Sequence, residues 1–191
     1  KIVIACIPAA VLGLLFDDWM EAHLYNAYVV AATLIIYGVL FIVLENSSIT
    51  ANPSITKVGH VSTKTALFIG LFQLLSLVPG TSRSGSTILG AMVLGCSRGV
   101  AAEFSFFLGI PVMFGASFLK LVKFFVKGNV LTGPQIFYTI LGMAIAFGVS
   151  VYSIQFLMGY VRRHDFKFFG YYRIILGVVV LAYFGITALA A

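Results

Sequence analysis

Long apolar runs separated by short polar segments make up the whole chain. Residues 27–44 contain no charged side chain, and a run of that length is close to what crosses the hydrocarbon core of a bilayer as a helix. The other predicted spans are residues 2–16, 100–119, 136–158 and 174–191. The pattern therefore predicts an all-α, polytopic membrane helix bundle, with residues 1–191 forming a single transmembrane domain of five spans.

A further apolar region, residues 65–96, is interrupted by a polar turn. About 14 mostly apolar residues precede Pro79 and about 11 begin at Ser86, so neither arm crosses about 30 Å of hydrocarbon at 1.5 Å per residue. The region is predicted to be a re-entrant hairpin whose two short helices enter and leave the membrane on the same face. A single kinked span is the alternative, because Pro and Gly also interrupt membrane helices.

Composition supports a membrane protein and argues against a soluble one. Hydrophobic residues make up 61% of the chain and charged residues 9%, whereas soluble domains carry about 25% charged residues. The formal charge is +6, and the basic residues flank apolar runs, as in the loop that contains Arg162 and Arg163. Such residues orient spans and contact lipid head groups, so nucleic-acid binding is not expected. The loops at 45–64 and 159–173 are expected to face the cytoplasm.

The polar turn, Pro-Gly-Thr-Ser-Arg-Ser-Gly-Ser-Thr at residues 79–87, is the best candidate for a functional site. Hydrocarbon satisfies neither an arginine nor a broken backbone, so this segment is expected to face protein or a wet cavity. The guanidinium of Arg83 and the amides of a helix start together favour a phosphate or diphosphate ligand. Further donors to this ligand are expected from the hydroxyl groups of Ser82, Ser84, Ser86 and Thr87. Packing by small residues, with Arg83 satisfied on helix-end carbonyls, is the alternative.

Individual residues of the turn have predicted roles. Pro79 is expected to end the first helix, and Gly80 and Gly85 are expected to let the backbone approach a ligand closely. Either Ser84 or Ser86 is expected to cap a second helix starting near Thr87.

The residues from 79 to 87, followed by Gly95, Arg98, Glu103-Phe104-Ser105-Phe106 and Pro111, resemble the undecaprenyl-diphosphate phosphatase family, also called bacitracin resistance proteins. The resemblance implies hydrolysis of undecaprenyl diphosphate to undecaprenyl phosphate in the bacterial plasma membrane, which recycles the lipid carrier for peptidoglycan synthesis. It also implies a diphosphate site. The residues that the resemblance assigns to this site are Ser82, Arg83, Ser84 and Thr87.

One departure from the family concerns its N-terminal motif of paired glutamates, a proline, serines and a histidine. Nothing before residue 64 matches this motif, so the chain is expected to be the C-terminal portion of such an enzyme, half of an inverted-repeat architecture. The family implies Mg²⁺ or Ca²⁺, yet no cluster of carboxylates in the sequence would hold the cation unaided. The acidic residues Asp17, Asp18 and Glu21 are interpreted as a solvated cap. A homodimer is left open.

Other chemistry-bearing residues have two interpretations. Glu103 either favours the dipole of its own helix or orients Arg83 or a cation at the substrate site. The three histidines, His23, His60 and His164, are predicted to lie in loops and to be solvated. A transporter or flippase for an anionic substrate, or a non-catalytic fragment, remains the alternative to a phosphatase.

Overall fold

The computed structural model describes residues 1–161 and 164–190, apart from the side chains of Leu14, Asp17, Asp18, Glu21, Leu189 and Ala190. Within these residues the chain forms eight α-helices. They are α1 (Ile2–Leu24), α2 (Ala27–Glu45), α3 (Ser48–Ala51), α4 (Thr63–Leu74), α5 (Arg83–Val93), α6 (Arg98–Val126), α7 (Gly133–Val161) and α8 (Lys167–Ala190). The predictions made for Arg162, Arg163, Ala191 and the acidic side chains of α1 lie outside this description.

Four of the described helices are long and apolar enough to cross a membrane: α2, α6, α7 and α8. The large apolar side chains of α7 are exposed along its length, as expected for a helix that faces lipid. These observations confirm an all-α membrane helix bundle. The described apolar part of α1 is shorter, Ile2–Gly13, so the fifth predicted span stays a prediction.

The helices extend beyond the predicted apolar spans, most of all at the C-terminal ends of α1 and α6 and at the start of α8, which begins at Lys167 rather than at residue 174. Helix α1 continues through the polar gap to Leu24, because neither Gly nor Pro interrupts residues 14–24. The prediction that His23 lies in a loop is therefore wrong, and its Nδ1 lies 2.9 Å from the carbonyl oxygen of Trp19 in the same helix. Helix α6 continues through Pro111 and past Lys120 and Lys123 to Val126.

Helices α4 and α5 form a hairpin, joined by a 3-10 turn, Leu75–Leu77, and the polar segment. At 1.5 Å per residue the two helices are only about 18 and 17 Å long, as the sequence predicts. Helix α5 lies in the centre of the protein, where its Leu89 and Met92 belong to the same buried cluster as Phe104 and Leu108 of α6. Entry and return on one membrane face stay a prediction.

Helices α2 and α8 pack closely through glycines. A Cβ atom on Gly170 would lie 2.8 Å from the carbonyl oxygen of Gly38, and one on Gly177 would lie 2.9 Å from that of Ala31. Small residues allow membrane helices to approach in this way. The close approach brings α8, with Arg173 on it, alongside α2 and the start of α5.

A buried carboxylate joins three helix ends. Glu45, at the end of α2, accepts hydrogen bonds from the guanidinium of Arg98 at the start of α6 and from the backbone N–H of Phe166, at 2.9 Å. The carboxylate side chain is fully buried. Because a buried charge needs both a partner and hydrogen bonds, this cluster holds the ends of α2 and α6 and the residues before α8 together.

Candidate active site

The backbone of the polar turn bends first at Gly80, in a conformation that glycine adopts readily. Gly80 has a φ of +88° and Ser82 a φ of +68°, both in the left-handed region. A Cβ on Gly80 would collide with Thr33 and would lie 2.6 Å from the carbonyl oxygen of Val30. The structure thus gives Gly80 a packing role against α2, and its predicted contact with a ligand stays a prediction.

Ser82 caps α5. Its Oγ accepts a hydrogen bond from the backbone N–H of Gly85 at 3.3 Å, and the helix begins at Arg83. The prediction that Ser84 or Ser86 caps a helix starting near Thr87 is therefore wrong. The first turn of α5, whose backbone amides carry the positive end of the helix dipole, therefore begins with Arg83.

Arg173 of α8 holds the turn. Its Nη2 donates hydrogen bonds to the carbonyl oxygens of Gly80 at 2.6 Å and Thr81 at 2.9 Å, and its guanidinium carbon lies 5.7 Å from the centre of the Tyr37 ring. Arg173 was not predicted as a site residue, because the sequence pattern groups it with the basic loop at 159–173. The available signal was a charged side chain beside the apolar run of the last predicted span, since such a residue needs a polar partner.

Arg83 lines a cavity of about 410 Å³ between α1, the end of α4, the 3-10 turn, α5 and α6. The half-buried guanidinium donates one hydrogen bond, from Nη1 to the carbonyl oxygen of Gly109 at 3.2 Å. Lys120 and Lys123 also line the cavity, and its described lining contains no Asp or Glu. The cavity is therefore positively charged and favours an anion.

The hydroxyl groups of the motif fall into two sets. Ser82 and Ser84 are exposed, with their Oγ atoms 3.3 Å apart. Ser86 and Thr87 are buried: Ser86 Oγ donates to the Tyr37 hydroxyl at 3.0 Å, and Thr87 Oγ1 lies 2.5 Å from Ser105 Oγ. The structure thus places the first pair at the exposed start of α5 and turns the second pair into the helix bundle.

Among the predicted site residues, Arg83 lines the cavity and the others do not; these are Gly80, Ser82, Ser84, Gly85, Ser86, Thr87 and Glu103. Gly85 is buried, and a Cβ added to it would lie 3.6 Å from the Phe41 ring. Glu103 is half-buried and makes no side-chain hydrogen bond or ion pair to another described residue. Their proposed contacts with substrate stay predictions.

The described residues do not fit a protein-built site for Mg²⁺ or Ca²⁺. They contain no group of three or more His, Cys, Asp or Glu side chains that would hold a metal ion. Both ions take oxygen ligands, six to eight for Ca²⁺, and the described cavity lining offers no carboxylate. What the cavity can do alone is bind an anion through a guanidinium.

Comparison with known proteins gives matches over nearly the whole chain. A family model described as "Bacitracin resistance protein BacA" matches residues 1–179. A protein named undecaprenyl-diphosphatase from Streptococcus thermophilus (strain CNRZ 1066) is 56% identical over 183 residues, which cover 96% of this chain and 64% of the relative. Proteins of the same name from Streptococcus mutans and Limosilactobacillus fermentum are each 55% identical, with 65% and 68% of their lengths covered.

These matches confirm the resemblance predicted from the residues at 79–87. The chain spans just under two thirds of the length of the Streptococcus thermophilus relative.

Proposed function

The chain belongs to the bacitracin resistance protein BacA family, and we propose that the whole protein hydrolyses undecaprenyl diphosphate to undecaprenyl phosphate and inorganic phosphate. The names of relatives at 55–56% identity support this proposal. We further propose the bacterial plasma membrane as its location and recycling of the lipid carrier for cell-wall synthesis as its role.

The observation that carries the proposal is the position of Arg83 in a positively charged cavity. A guanidinium has five N–H donors, and Gly109 accepts from one nitrogen, Nη1, so donors remain for phosphate oxygens. A bidentate guanidinium–phosphate pair is strong and directional. In phosphoryl transfer, where positioning and electrostatics supply most of the catalysis, such a group stabilises the charge of the transition state.

The hydroxyl groups have different proposed roles according to their burial. Ser82 and Ser84, exposed beside Arg83 at the start of α5, donate to oxygens of the head group. Thr87 supports the helix instead, because its hydroxyl is within hydrogen-bond distance of the Arg83 and Ser84 carbonyl oxygens and of Ser105.

The attacking group is proposed to come from the N-terminal motif of the family, with its glutamates, serines and histidine. Among the described residues, no histidine lines the cavity that contains Arg83. Since the described lining does not fit a divalent cation, no step is assigned to one. The contribution of this chain is to bind and orient the diphosphate.

The proposal is tested by phosphate release from undecaprenyl diphosphate, using the whole protein in detergent. Arg83→Ala is expected to lose at least about 100-fold in kcat/KM, since one preorganised donor to a developing charge is worth about that much. Arg83→Lys keeps the positive charge but lacks the planar set of donors that binds phosphate in a bidentate manner, so it should recover little of the lost kcat/KM. Lys127→Ala, in the turn after α6 and outside the cavity, is the matched control and should retain activity.

Two results would contradict this function. Normal turnover in Arg83→Ala would remove Arg83 from the site. Binding and movement of the lipid without phosphate release in the unmodified protein would instead favour a transporter.

A further inference from the structure

Gln73, in the last turn of α4, has a buried and unpaired side chain. It is 2% exposed, and neither Nε2 nor Oε1 has a hydrogen-bond partner among the described residues. Buried polar side chains are paired in the large majority of cases, and leaving one unpaired destabilises the fold. The amide of Gln73 therefore needs a hydrogen-bond partner other than the described residues.

The explanation lies in the cavity, because Gln73 lines the same space as Arg83. Its neighbours in the lining are mostly apolar, including Ala9, Leu77 and Val112, which offer the amide no partner. An amide presents two N–H donors and one carbonyl acceptor. Phosphate oxygens accept from the donors, and a protonated phosphate or a water donates to the carbonyl.

We propose that Gln73 is a head-group ligand that donates from Nε2 to an oxygen of the diphosphate held by Arg83. The assignment rests on the proposed function, since it names a second contact in the same cavity. Arg83 supplies a charged donor. Gln73 supplies a neutral, directional donor from the mostly apolar wall of the cavity. A diphosphate oxygen beside Gln73 gives the amide a partner that the described residues do not provide.

This role predicts opposite effects on stability and on binding. Gln73→Met conserves side-chain length and removes the unpaired amide, so the ligand-free protein should gain stability, seen as a Tm higher by about 2–4 °C. The same variant should bind inorganic pyrophosphate at least about tenfold more weakly, since a hydrogen bond to a charged group is lost. A glutamine with a purely structural role would give a lower Tm.

The experiment compares Gln73→Met, Gln73→Glu and the control Gln155→Met, which alters an exposed glutamine of α7, in the whole protein. Thermal unfolding is measured without ligand and with inorganic pyrophosphate, and kcat/KM is measured with undecaprenyl diphosphate. Gln73→Glu keeps the size but replaces the donors with a negative charge, so it should weaken pyrophosphate binding further. Gln155→Met should match the unmodified protein.

Each outcome decides one of the two proposals. Unchanged pyrophosphate affinity in both Gln73 variants, or a lower Tm for Gln73→Met, overturns the role of Gln73 and leaves the phosphatase proposal standing. If the unmodified protein releases no phosphate, the phosphatase proposal fails, while the pyrophosphate measurements still decide whether Gln73 is an anion ligand.

Discussion

Arg173 Nη2 lies 2.6 Å from the carbonyl oxygen of Gly80, although the two residues are 93 positions apart in the sequence. Through this contact and the one to Thr81, helix α8 fixes the turn that precedes Arg83. Arg173 therefore supports the backbone that precedes Arg83, and Arg83 is the residue whose side chain lines the cavity.

Removing this support should reduce activity without touching the substrate. Arg173→Met leaves two carbonyl oxygens of the turn without their donor, so we expect about a tenfold to hundredfold loss of kcat/KM and about 2–4 kcal/mol lower stability. Kinetics and chemical denaturation measure the two effects. Lys167→Met, another cation on α8, should change neither appreciably, and a wild-type kcat/KM in Arg173→Met would contradict the account.

Arg83 can also be displaced without removing its charge. A Cβ on Gly109 would lie 2.6 Å from Arg83 Nη2, so Gly109→Ala should push the guanidinium out of position and lower kcat/KM by about 100-fold, the effect expected for a misplaced catalytic group. Gly142→Ala in α7, where the added methyl meets open space, is the control. Equal kcat/KM in the two variants would show that the position of the guanidinium does not matter.

The buried carboxylate of Glu45 should be important for stability. Glu45→Gln leaves the Arg98 guanidinium without its counter-charge. Breaking a fully buried pair typically costs about 3–5 kcal/mol, and because the Arg98 side chain is 38% exposed, the loss should lie below that range. The loss is measured as a lower denaturation midpoint. Lys167→Met removes the partly exposed pair with Asp165, at 3.7 Å, and should cost at most about 1 kcal/mol; a similar loss in both variants would contradict the ranking.

Substitutions at Thr87 and Ser84 should have different effects, because Thr87 stabilises the helix bundle and Ser84 is proposed to bind substrate. Thr87→Val removes a buried hydroxyl bonded to α6, so stability should fall by about 1–3 kcal/mol. Ser84→Ala removes an exposed hydroxyl, so stability should change little while KM rises severalfold. Thermal unfolding and steady-state kinetics on the same preparations check both, and the reverse pattern would exchange the two roles.

Much of the architecture follows from the sequence because it depends on local hydrophobicity. The apolar run at 27–44 and the two short arms around Pro79 set helix length directly, and the cost of burying Arg83 in hydrocarbon predicts a polar surrounding for it. The structure places this residue in a cavity. The family follows from the same motif, which is long enough to be specific.

The finer features of the site depend on tertiary contacts that local sequence patterns do not predict. Helix α5 starts at Arg83 because Ser82 adopts a positive φ and caps it, a conformation that a serine rarely adopts without tertiary support. Whether Thr87 points into the cavity or into the bundle depends on its rotation about α5, which packing against Ser105 decides. The charge of Arg173 beside an apolar run indicates that it needs a polar partner, but the partner, Gly80, lies 93 positions away, so no local pattern identifies it.

The central claim, that Arg83 binds the diphosphate in this cavity, is tested most directly by equilibrium binding of a non-hydrolysable farnesyl methylenediphosphonate to the whole protein. Calorimetry on the unmodified protein and on Arg83→Ala separates binding from catalysis. The account predicts at least about a hundredfold weaker binding in Arg83→Ala, since a bidentate charged contact is lost. Equal dissociation constants for the two proteins would contradict it.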